Sequence, residues 1–87
     1  MPRYLSQHTL ACLTRQGAAG LVRRMHAATQ FTTRRALVNM QEGKMVVEFD
    51  APDRETLESW LAAEKVHFDW LLRIEFESFG DELRPIG

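Results

Sequence analysis

The period of the apolar positions changes several times along the chain, and each change predicts an element. Between Tyr4 and Leu13 no helical period fits. Tyr4, Ser6, His8, Leu10 and Cys12 fall on one side and Leu5, Gln7, Thr9, Ala11 and Leu13 on the other, as in a strand, where alternate side chains share a face. Thr14 is a good N-cap, and after it the spacing lengthens. Ala18, Leu21, Val22, Met25 and Thr29 form one stripe at helical intervals. Gly17 and Gly20 lie off the stripe and each weakens the helix by about 1 kcal/mol relative to Ala, so packing must compensate. Alternation returns over Thr32–Met40, with Ala36, Val38 and Met40 opposed to Arg35, Leu37 and Asn39. Gln41-Glu42-Gly43 supplies a turn whose glycine can take positive φ. Lys44–Asp50 is the next strand, with Met45, Val47 and Phe49 against Val46, Glu48 and Asp50.

Ala51-Pro52 ends that strand, because proline cannot donate to a ladder. Asp53 caps a second helix carrying Glu55 in its first turn, favourable to the helix dipole, and Leu57, Trp60, Leu61 and Glu64 on one face. Residues 65–68 connect to a fourth strand over Asp69–Ser78, where Trp70, Leu72, Ile74 and Phe76 alternate with Leu71, Arg73, Glu75 and Glu77. Residues 80–87 contain Pro85 and two glycines and read as a C-terminal tail.

The order β-α-β-β-α-β predicts an α+β fold of the ferredoxin-like type over residues 1–79. In it a four-stranded antiparallel sheet carries both helices on one face. The other face is then uncovered and must be polar, bind a ligand or pair with a second subunit. Fold-level analogy favours a homodimer closed sheet to sheet as a dimeric α+β barrel. The apolar side of strand four (Trp70, Leu72, Ile74, Phe76) and that of strand three (Met45, Val47, Phe49) are expected to meet the helices. If Leu5, Ala11 and Leu13 also turn inward, Tyr4, Ser6, His8, Leu10 and Cys12 look out.

Composition narrows the function classes. The chain has 87 residues, 45% of them apolar and 26% charged, enough for one modest core. Its net charge of −1 conceals a division. Residues 1–44 hold seven bases and one acid, a net of +6; residues 45–87 hold four bases and eleven acids, a net of −7. Basic helix one (Arg15, Arg23, Arg24) and acidic helix two (Glu55, Glu58, Glu64) would lie side by side in this topology. The basic half is therefore expected to be matched within the chain. With Glu48 and Asp50 on the uncovered face, a nucleic-acid partner is not expected. No apolar run approaches the roughly 20 residues of a membrane helix, and the N-terminus lacks signal-peptide features. A cytoplasmic protein without a membrane partner is the expectation. Cys12 is alone, so it has no intramolecular disulfide partner, and a buried inert thiol is the expectation for it.

The candidate chemistry collects around His8. On neighbouring central strands, His8 and Glu48 would approach one another on the uncovered face, with Arg73 or Glu75 beside them. Tyr4, Ser6, His8, Glu48, Arg73 and Glu75 are therefore the candidate ligand-binding set. A carboxylate beside an imidazole orients it and raises its basicity, making His8 the candidate acid–base residue. The same pair, His8 and Glu48, offers nitrogen and oxygen ligands to a divalent metal. The bland alternative is a histidine hydrogen-bonded within an interface. His26 and His67 form no metal-ligand spacing with it, and no phosphate loop, dinucleotide fingerprint or nucleophile elbow is present.

The opening Met1-Pro2-Arg3-Tyr4-Leu5-Ser6-Gln7-His8 and the stretch Glu48-Phe49-Asp50-Ala51-Pro52-Asp53 resemble a family of small bacterial ferredoxin-like proteins of unknown function that includes a nickel-binding protein. The likeness covers most of residues 1–78 and rests on short motifs, with His8 and Asp50 as the matching positions. Ser6 stands where members often carry an acid, and Trp60 where they often carry a histidine. The resemblance implies a dimeric subunit with a metal or small-ligand site near strand one, nickel being the metal it suggests. Three function classes are carried forward. The first is a small dimeric binding protein using the uncovered face near His8. The alternative is a cofactor-free monooxygenase or isomerase of the dimeric barrel type, and the third is a purely structural or regulatory partner protein.

Overall fold

The computed structural model describes residues 1–11 and 13–86, so the reading of Cys12 as a buried thiol lies outside the described residues. The elements run β1 (Arg3–Thr9), α1 (Arg15–Ala27), β2 (Thr32–Asn39), β3 (Lys44–Asp50), α2 (Arg54–Ala63), β4 (Trp70–Ile74), β5 (Phe76–Phe79) and β6 (Glu82–Pro85). Four of the strands form one sheet in the order β2-β3-β1-β4, with every neighbouring pair antiparallel. The chain is a small α+β protein with two helices and a four-stranded antiparallel sheet, as its apolar pattern predicts. No helix among the described residues is long and apolar enough to cross a membrane.

Local chemistry accounts for the helix boundaries. Thr14 Oγ1 accepts from the Gly17 amide at 3.0 Å, and the Asp53 carboxylate accepts from the Thr56 amide at 2.8 Å. Both are N-caps satisfying donors that the first helical turn leaves free. At the far end of α2, the Val66 amide donates to Leu61 O (2.8 Å) and the Lys65 amide to Ala62 O (3.1 Å). This is the paired closure of a Schellman motif. It places Lys65 at φ 57°, in the left-handed region. Thr33 Oγ1 donates to Met25 O at 2.9 Å and so closes the end of α1 from the neighbouring strand.

Both helices pack on the same side of the sheet. Ala18, Leu21 and Met25 of α1 and Leu57 and Leu61 of α2 share one core with Tyr4, Met45, Val47, Phe49 and Leu71. Phe31, in the α1–β2 connection, is buried edge-on between Phe49 (5.2 Å) and Trp60 (5.3 Å). Arg54 ties α2 to the sheet by donating to Leu71 O at 2.7 Å.

Three expectations require correction. Strand four ends at Ile74, and residues 80–86 are not a trailing tail. Gly80, at φ 63°, turns with Asp81 between β5 and β6, which pair as a separate hairpin. Strands one and four are also turned over relative to the expected orientation. Tyr4, Ser6 and His8 face the helices, opposite Phe49, Val47 and Met45. On β4 it is Leu71 that reaches the core, opposite Ser6, while Leu72 lies opposite Leu5 on the uncovered side. Strand three alone keeps its expected orientation, with Met45, Val47 and Phe49 inside.

Candidate functional site

Reversal of β1 separates the two residues on which the sequence-derived site rests. His8 is on the helix side of the sheet and 1% exposed. Glu48 pairs with Leu5 on the uncovered side. Tyr4 and Ser6 are buried with His8, and Arg73, opposite Tyr4, shares their side at the exposed edge. Glu75 lies beyond β4. The six candidate ligand-binding residues therefore do not converge.

His8 is instead part of a compact internal network. Its Nδ1 is 2.8 Å from His67 O and its Nε2 is 2.7 Å from Ser6 Oγ. A carbonyl can only accept, so Nδ1 carries the proton in the neutral ring, and Nε2 accepts from the Ser6 hydroxyl. Burial pushes the imidazole below its ordinary value; the His67 carbonyl and Asp69 act in the opposite direction. Ser6 and His8, two apart on one strand, can therefore sit in the core because each satisfies the other. This is the bland alternative weighed for His8, a hydrogen-bonded structural histidine, placed in the core rather than in an interface.

The arrangement does not fit a metal centre at His8. Both ring nitrogens are engaged, Glu48 is across the sheet, and no group of three His, Cys, Asp or Glu side chains converges among the described residues. An acid–base role on the uncovered face is corrected for the same reason, since the ring is on the other side. Beside His8 lies a small cleft of about 260 Å³, bordered by Leu10, Leu13, Leu21, Arg24, Lys65 and His67. Arg24 is held there by Glu64 at 2.9 Å, one bridge of the kind expected between the basic and acidic helices.

The uncovered face has a different character. Leu37, Val46, Leu5 and Leu72 run across it from β2 to β4, with Trp70 and Ile74 flanking Leu72. Leu37 is 57% exposed and Leu72 54%.

Charged groups close both ends of the band. At one end the register of β2 against β3 shifts between Thr33 and Arg35, a bulge that lets consecutive arginines reach the same side. Arg34 and Arg35 lie 3.3 Å from the two carboxylate oxygens of Glu48, and Arg34 also bonds Asp50 at 2.9 Å. Asp50 thereby holds the Arg34 guanidinium above its ordinary value. Arg3 joins them, 3.4 Å from both Glu48 and Asp50 and 2.7 Å from Glu77. Arg3, Arg34, Arg35, Glu48 and Glu77 line a hollow of about 360 Å³.

At the other end Asp69 accepts from Thr9 and Gln7 and lies 3.6 Å from Lys44. The Thr9 and Gln7 hydrogen bonds, with Lys44 adding to them, hold its carboxyl below the ordinary range. Bases of the first half and acids of the second thus meet chiefly on the open face, more than between the helices. Sequence reasoning missed the Arg3–Arg34–Arg35 convergence; the adjacent arginines in an otherwise alternating strand are its one visible sign. Comparison with known protein families, characterised proteins and solved structures gives no match.

Proposed function

We propose that this chain is a ferredoxin-like subunit of a homodimeric binding protein, in which two copies close face to face through the open side of the sheet. The observation that carries the reading is the apolar band on that side. Leu5, Leu37, Val46, Leu72, Trp70 and Ile74 share one surface while the opposite surface is covered by both helices. Apposed sheets bury such a band at the usual spacing of about 10 Å. The ion-paired ends supply the polar rim that specific interfaces carry. A small molecule held by the dimer would lie at the rim hollow. There guanidinium donors and carboxylate acceptors converge, the kind of polar groups that fix ligand orientation.

Sedimentation at micromolar concentration tests the reading. The expected species is a dimer of the 10.0 kDa chain, converted to folded monomer by Leu72→Arg or Leu37→Glu. A wild-type chain that sediments as a monomer, or a dimer indifferent to both substitutions, would overturn it.

A further inference from the structure

The β5–β6 hairpin has no layer of its own to pack against. Neither strand joins the four-stranded sheet, and a two-stranded hairpin alone is marginal in water. Yet it carries a high apolar load. Phe76 is 53% exposed, Phe79 51% and Leu83 69%. The register places Phe76, Leu83 and Pro85 on one side, with Glu77 and Arg84 on the other. The second side is satisfied internally: Glu77 is bonded to Arg3 at 2.7 Å, and the Arg84 guanidinium stands 4.3 Å above the Phe79 ring. The first side offers Phe76, Leu83 and Pro85 with only the small Ser78 hydroxyl among them. Arg3 belongs to the open face of the sheet, so the Arg3–Glu77 bridge anchors the hairpin at the edge of that same face.

We infer that the hairpin is a clasp that seats Phe76 and Leu83 on a second copy of this chain, extending the interface across the open face. The inference rests on the homodimer reading and deepens it. Area favours a second copy as the occupant. A sheet of four strands about 4.8 Å apart and about seven residues long has a footprint of about 19 by 23 Å, roughly 900 Å² for two copies. Stable interfaces begin near 1,200 Å² and centre on about 1,600 Å². Half-exposed aromatic side chains each add on the order of 100 Å². With Phe76 and Leu83 from each copy, the two hairpins therefore bring the total to about 1,300 Å², past that lower bound.

A dimer assembled from isotope-labelled and unlabelled full-length chains separates the two claims by intermolecular NOEs. Contacts from Phe76 and Leu83 to the unlabelled chain are the expected result. The double variant Phe76→Ser, Leu83→Ser should then weaken dimerisation at least tenfold in sedimentation equilibrium. Intermolecular contacts among Leu37, Leu72 and Trp70 with none from the hairpin would overturn the clasp and leave the sheet-face dimer standing. A monomer with no intermolecular contacts would overturn both.

Discussion

The Ser6 hydroxyl lies 2.7 Å from Nε2 of His8, both side chains being buried between the sheet and the helices. The pair determines how β1 sits, because a lone buried hydroxyl or imidazole would carry an unmet desolvation cost. Ser6→Ala leaves Nε2 without its donor while changing little volume. It is expected to destabilise the fold by about 1–3 kcal/mol, measured by urea unfolding. A change of only a few tenths would mean that this hydrogen bond is not stabilising.

The same burial makes stability depend on pH. The His8 value is lowered in the folded protein from the ordinary 6.5. Well above pH 6.5 the ring is neutral in both states and contributes no slope. Below it the unfolded chain takes up the proton first, so stability falls with falling pH until the folded-state value is passed. Unfolding free energies from pH 7.5 downward should therefore decline more steeply for the wild type than for His8→Gln. Equal slopes would refute the assignment.

Glu48 is shared by three guanidinium groups at 3.3–3.4 Å and is largely shielded, with 19% of its side chain exposed. Glu48→Gln keeps the shape and removes the common counter-charge of Arg3, Arg34 and Arg35. A loss of about 1 kcal/mol is expected at low ionic strength, shrinking in molar salt as screening shortens to about 3 Å. A salt-independent difference would point to packing rather than charge.

Two backbone substitutions should stabilise. Lys65 occupies the left-handed region at the end of α2, which costs a side-chain-bearing residue about 1–2 kcal/mol. After allowing for the greater chain entropy of glycine, Lys65→Gly is expected to gain about 0.5–1 kcal/mol. At Gly20, an added Cβ would meet only the Arg23 side chain at 3.7 Å. Gly20→Ala should therefore recover about 0.5–1 kcal/mol of helix propensity. Each is checked by thermal melting, where 1 kcal/mol corresponds to about 4–8 °C in a domain of this size. A lowered melting temperature would contradict the geometry at that position.

What the chain determines by itself is what local chemistry controls. Thr14 and Asp53 start the helices, and Gly43 at φ 66° closes the β2–β3 turn. The alternation of Met45, Val47 and Phe49 with Glu48 and Asp50 orients β3. In each case the deciding groups are a few residues apart, and on β3 three large apolar groups on one side outweigh Val46, the lone apolar residue beside Glu48 and Asp50 on the other. Strands one and four lack that asymmetry. On β4 both Leu71 and Leu72 are apolar, and on β1 the buried side carries Ser6 and His8. A two-residue period separates two faces without saying which one the helices cover.

Tertiary structure decided those orientations through groups remote in sequence. The His67 carbonyl, 59 residues from His8, completes the buried ring's hydrogen bonding, and the register with β3 sets Ser6 beside Val47. The bulge between Thr33 and Arg35 is likewise a property of how β2 pairs with β3; it brings Arg34 and Arg35 to Glu48, while the β1–β3 register brings Arg3. Burial of polar side chains and convergence of charges depend on partners supplied by the assembled sheet, and so they emerge only with the fold.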